Sequence, residues 1–162
     1  EPHKHREVDI LTWVLNGTLA HEDSTGFGGD VTPGTLQHLN AGPGVTHSER
    51  NASTTEPLVF VQMMVRANLA SEPSYGQVEI PVVPGLHPGP EIDADASVFV
   101  ARVDGQPLAV PAAASHLIHV TAGTLTVNGT ALSAGDQWQG AAATPLELTA
   151  LAPAEAIVWL LR

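Results

Sequence analysis

Two short segments set potential metal ligands at alternate positions: His3-Lys4-His5, and His47-Ser48-Glu49 within Gly44-Val45-Thr46-His47-Ser48-Glu49-Arg50-Asn51. In an extended strand, residues i and i+2 point to the same face about 7 Å apart, so each pair can converge on one point. Three imidazoles and one carboxylate suffice to hold a metal ion. Such donors suit Fe, Mn, Co, Ni, Cu or Zn, and a five- or six-coordinate geometry leaves positions for water, oxygen or a chelating substrate. The turn Gly42-Pro43-Gly44 ahead of the second pair lets the backbone reverse sharply beside a cavity.

The elements that must position these side chains read as strands. Fifteen Gly and thirteen Pro punctuate short β-branched runs, and no segment sustains an apolar 3.6-residue period for long. Residues 8–15, 36–39, 58–65, 98–103, 117–120, 124–127, 146–151 and 156–161 are expected as strands, an all-β pattern of sandwich or barrel type. Asn128-Gly129 predicts a hairpin turn between Val127 and Thr130. The triplets Asn16-Gly17-Thr18, Asn51-Ala52-Ser53 and Asn128-Gly129-Thr130 are read as turn chemistry rather than glycosylation.

Between Ala67 and Asp95 the chain collects Pro73, Pro81, Pro84, Pro88 and Pro90, a composition that breaks regular ladders. Residues 67–97 are therefore expected to connect an N-terminal metal-binding half, 1–66, to a C-terminal half, 98–162. Val78-Glu79-Ile80 can add a short strand there, and His87 is read as a surface loop residue. A weak internal repeat supports the two halves, since residues 11–19 match residues 117–125 when the steps Gly17-Thr18-Leu19 and Gly123-Thr124-Leu125 are superposed. The same offset puts Ala109 opposite His3 and Pro111 opposite His5, so the second half is expected to lack the site.

Composition narrows the partners. Six Lys and Arg against seventeen Asp and Glu give a net charge of −11, which repels nucleic-acid phosphates and argues against direct nucleic-acid binding. No apolar run approaches the ~20 residues of a membrane-spanning helix. Zero cysteines exclude disulfides and thiolate ligands. The chain opens at Glu1 without an initiator Met, as a processed product or fragment would, and a cytoplasmic location is the expectation.

The remaining candidates read as structural. Asp9 is expected to be a carboxylate outside the ligand set or a surface charge, His21 a turn hydrogen-bonder, and His38 a strand residue. His116 and His119, three apart, cannot share one strand face, and Trp13, Trp138 and Trp159 are expected to fill sheet interiors.

A His-x-His strand, a Gly-rich turn and a returning strand carrying another His are the parts of a cupin, a small double-sheet jelly roll. The run Pro2-His3-Lys4-His5-Arg6, then Trp13-Val14-Leu15-Asn16-Gly17, His21-Glu22-Asp23-Ser24, Pro33-Gly34 and Ala41-Gly42-Pro43-Gly44-Val45-Thr46-His47-Ser48-Glu49 resembles the pirin family over residues 2 to 51. Residues 98–162 resemble the degenerate second cupin of such a protein. The resemblance implies a bicupin of two jelly-roll-type β-barrel halves, with His3, His5, His47 and Glu49 as the four metal ligands. Family members place further strands ahead of the His-x-His motif, so an N-terminal half short of those strands is expected.

The resemblance further implies one divalent metal, iron first, with Mn, Co, Ni, Cu or Zn as alternatives. It implies either dioxygenation of a small aromatic, flavonol-like substrate such as quercetin, or iron-dependent redox sensing that regulates a protein partner of the transcription-cofactor type. In the first case Glu49 is the expected catalytic residue, ligand and general base in one. An isomerase on the same barrel is a third reading, because one fold hosts many functions.

Overall fold

The computed structural model describes residues 1–67, 71–142 and 144–162, with Ala142 described by its backbone alone. Residues 68–70 of the expected connection lie outside the described residues. Seventeen strands and no helix occur among the described residues, and they form two compact units.

The first unit comprises Glu1–Glu79 with Pro90–Ala94. Its strands are β1 (His3–His5), β2 (Val8–Asn16), β3 (Leu19–Asp23), β4 (Gly28–Val31), β5 (Thr35–Asn40), β6 (Val45–Asn51), β7 (Val59–Arg66) and β8 (Ser74–Glu79). They pair antiparallel into two four-stranded sheets, ordered β1-β6-β3-β4 and β7-β2-β5-β8. The second unit, Ile80–Gly89 with Asp95–Arg162, contains β9 (Gly85–Pro88), β10 (Ala96–Val103), β11 (Leu108–Val110), β12 (Ala113–Ala122), β13 (Thr124–Val127), β14 (Thr130–Ser133), β15 (Gln137–Ala142), β16 (Leu146–Thr149) and β17 (Ala154–Leu161). Its sheets run β11-β16-β13-β14 and β15-β12-β17-β10-β9.

The strand orders expose the repeat. Adding ten to each label of β1-β6-β3-β4 yields β11-β16-β13-β14, and β7-β2-β5 maps the same way onto β17-β12-β15. The superposed glycines behave alike as well. Gly17 at φ 82° and Gly123 at φ 73° each sit where an added Cβ would meet a proline carbonyl oxygen at 2.6 Å, that of Pro57 or Pro153. Positive φ and a tight backbone approach both demand glycine there.

The expected strands appear with shifted ends: 117–120 lies inside the longer β12, and the strand expected over 146–151 stops at Thr149. Val127 pairs with Thr130 across the expected hairpin, with Asn128 at φ 47° as a type I′ turn requires. The Pro-rich stretch differs from expectation: His87 lies in β9, paired with Val100, and its Nε2 donates to the Val83 carbonyl at 2.8 Å. β9 lies at the end of its sheet, where the missing N–H groups of prolines cost no ladder bond.

The interiors of the two units differ in kind. In the second unit, Ala154, Ala156, Val158 and Leu160 of β17 alternate into a continuous core with Ile118, Val120, Leu125, Val127, Leu146 and Leu148. In the first, the inward residues of β2 are Ile10, Thr12 and Val14. Ile10 joins Leu39, Ala41 and Val45, whereas Val14 joins Leu19 and Val31. Thr12 between them faces polar groups, so a polar layer separates two apolar ones.

Candidate metal centre

The polar layer is where the chemistry gathers. β1 and β6 pair with His3 opposite His47, and β3 sets His21 opposite Glu49 on the other side of β6. The rings of His3, His5 and His47 form a triangle with centroids 4.4 to 4.9 Å apart. Each of the three offers a nitrogen within 4.8 Å of the others, and His21, His47 and Glu49 form a second triad of the same radius that shares His47. The structure thus brings the three expected imidazoles together, and Glu49 joins them through His47.

Hydrogen-bond accounting sets the tautomers. His3 Nδ1 lies 2.9 Å from the Glu1 carbonyl, which only accepts, so Nδ1 carries the proton and Nε2 is bare. His21 Nε2 faces Asp23 Oδ2 at 3.5 Å, and its Nδ1 accepts from Gln37 Nε2 at 3.1 Å. His47 Nδ1 lies 3.4 Å from that same His21 Nδ1. The Nε2 atoms of His3 and His47 stand 2.9 Å apart, and His5 Nε2 is buried without a partner. Imidazole nitrogens this close, one of them buried without a partner, form an arrangement that a shared cation satisfies. The donor set fits a divalent metal ion.

The electrostatics agree. Burial, with the neighbouring His3, His21 and His5, outweighs the attraction of Glu49 and holds His47 down to about 4. His5 is lowered as well, by burial and then by His3. Neutral imidazoles are the metal-binding form. Burial alone would raise Glu49, but hydrogen bonding with His21 and with the amide of Gln62 prevails and holds it low, hence ionised.

The supporting groups come from the opposite sheet. Gln62 Nε2, on β7, lies 3.0 Å from both carboxylate oxygens of Glu49 and 3.2 Å from Thr12 Oγ1. Gln37, on β5, holds His21. Sequence reasoning placed His21 on a turn; it lies in β3, fully buried, its ring stacked on Tyr75 with centroids 4.9 Å apart. Gln62 and Thr12 went unnoticed, although a lone polar residue inside an otherwise apolar strand such as Val59-Phe60-Val61-Gln62-Met63-Met64-Val65 is the available signal. Asp9 is neither beside the cluster nor on the surface. It is fully buried on the face of β2 opposite Thr12, taking bonds from His38 Nε2 at 2.6 Å and Asn40 Nδ2 at 3.0 Å.

The second unit lacks these donors. β11 turns Leu108 and Val110 inward and β16 turns Leu146 and Leu148 inward, all packed with its core. The direct counterpart of the His3 and His47 pair is Leu108 with Leu148, one residue off the offset that the sequence repeat implied. An extra β-bulge between Ala113 and His116 of β12 absorbs the residue, whereas β2 pairs with β5 without interruption. His116 donates to the Pro111 carbonyl at 2.8 Å, and His119 lies on the opposite face of β12. Trp13 and Trp159 are buried, and Trp138 packs against the second unit's core.

Two jelly rolls with one polar centre define a bicupin, and comparison with known proteins places it more closely. The Pirin family model matches residues 1–65. A Mycobacterium tuberculosis protein described as a candidate quercetin 2,3-dioxygenase is 37% identical over 177 residues, covering 98% of this chain and 72% of that protein. The chain belongs to the pirin family. The crystal structure of YhhW from Escherichia coli superposes with a TM-score of 0.93 at 27% identity, covering all of this chain and 75% of that one. A second structure, of bacterial pirin YhhW in complex with nickel(II), superposes at 0.90 with 26% identity, covering 99% and 75%.

Proposed function

We propose that this protein is a metal-dependent dioxygenase of the quercetinase type, binding one divalent ion through His3, His5, His47 and Glu49, with iron as the native metal. The observation that carries the reading is the meeting of the three imidazole rings, with nitrogens within 4.8 Å of one another and His5 Nε2 buried without a partner. A relative described as a candidate quercetin 2,3-dioxygenase and a pirin that binds nickel(II) support it.

When bound, a divalent ion supplies charge stabilisation for a deprotonated hydroxy-ketone. The protein supplies the rest. His3, His5 and His47 hold the centre as neutral donors. Glu49, kept ionised, takes the hydroxyl proton of a flavonol-like substrate on a carboxylate oxygen. Orientation beside the cluster converts a bimolecular encounter into a local one.

Elemental analysis of untagged protein against the His3→Ala/His47→Ala variant tests the metal, and oxygen uptake with carbon monoxide release from quercetin tests the reaction. Metal is expected in the wild type and absent from the variant. Glu49→Gln is expected to keep the fold and cut turnover by about 100-fold or more. Metal-loaded protein that neither binds quercetin anaerobically nor consumes oxygen with it would refute the dioxygenase reading. Turnover by purified protein alone would separate this reading from redox regulation of a partner.

A further inference from the structure

We infer that Gln62 is a positioning residue that sets how Glu49 meets the metal, an inference resting on the metal-binding reading above. Gln62 pairs with Thr12 on the ladder between β7 and β2, so both side chains enter the polar layer together. An amide nitrogen has two hydrogens. One is shared between the Glu49 oxygens at 3.0 Å each, and the other goes to the Thr12 hydroxyl at 3.2 Å. The hydroxyl fixes the amide and the amide fixes the carboxylate.

The choice of a neutral donor matters. A Lys or Arg at position 62 would neutralise Glu49 and compete with a bound cation, whereas an amide leaves the full negative charge in place. A cation approaching one carboxylate oxygen leaves the other to the amide, so Gln62 favours one-oxygen ligation and a fixed carboxylate plane. Outer partners of this kind orient metal ligands and tune their strength.

The chain contains its own control. By strand order, the Thr12 and Gln62 pair corresponds to Ile118 with Val158 in the second unit, both fully buried and apolar. The unit whose β16 turns Leu146 and Leu148 inward has also lost the hydroxyl and the amide. A jelly roll of this strand order therefore does not need them to fold. They accompany the donors.

The test uses the full chain, stripped with chelator and titrated with Ni(II) or Co(II), in wild type and Gln62→Met, which keeps length and removes the donor. Gln62→Val, copying Val158, serves as a second variant if the first fails to fold. Expected are one bound equivalent, an affinity lowered about 10- to 100-fold, and altered visible bands of the Co(II) form. The thermal midpoint of the chelated protein should be unchanged or higher, which separates positioning from a structural role. Variants that match the wild type in Co(II) spectrum and affinity would overturn the inference while leaving metal binding intact. Wild-type protein that takes up neither ion would overturn the metal reading, and the role of Gln62 with it.

Discussion

His47 is a buried imidazole, and the cost of burying it can be measured. In the chelated protein at pH 7.5 the ring is neutral, with its nitrogens 2.9 Å from His3 Nε2 and 3.4 Å from His21 Nδ1. Replacing it with Leu, the residue that β16 carries inward in the second unit, adds apolar burial worth about 1.5–3 kcal/mol and forfeits about 1 kcal/mol of hydrogen bonding. His47→Leu should therefore be more stable than the wild type by about 1 kcal/mol. The gap should widen in acid. The folded pKa of His47, about 4, lies below the 6.5 of an unperturbed His, so between those values the unfolded chain binds a proton that the fold refuses. Stability contributed by this group is full above pH 6.5, falls as pH drops toward 4, and levels off below. Between pH 7.5 and pH 5 the linkage removes about 2 kcal/mol from the wild type and none from the variant. Urea denaturation at both pH values, with chelator present and slopes compared, measures the difference. Nickel(II) at about 100 times its dissociation constant should then stabilise the wild type by about 2.7 kcal/mol and leave the variant unchanged. A variant less stable than the wild type at both pH values, or with the same loss in acid, would refute the reasoning.

Other sites yield independent tests. Asp9→Ala leaves His38 and Asn40 buried without their acceptor and is expected to cost about 3–5 kcal/mol in the first unit, read as a lowered thermal midpoint, whereas Asp9→Asn should cost less. Gly17→Ala and Gly123→Ala should each cost about 1–3 kcal/mol, because both meet a proline carbonyl at positive φ. Similar losses measured by denaturation at the two positions would bear out the repeat, and a neutral result at either would break the equivalence.

Much of this protein was legible in the chain itself. Alternation of two made His3 with His5, and His47 with Glu49, pairs on single strand faces, and Gly and Pro punctuation marked an all-β chain. Asn128-Gly129 specified its own turn, because local backbone preference decides such a loop without outside help. β9 escaped because strand pairing at a sheet edge overrides the breaking tendency of prolines there. The one-residue slip between Ala109 and Leu108 escaped because a bulge is a property of the ladder, and a shift of one exchanges inward for outward side chains.

Only the tertiary structure decided which residues complete the centre. Gln62 lies 13 positions from Glu49 and reaches it from the opposing sheet, while Asp9, close in sequence to His3 and His5, points away from the cluster. A sequence fixes which side chains share a face of their own strand through the pleat. Which foreign faces they meet depends on how sheets close over one another, and that is set by burial of the apolar layers on either side of the polar one.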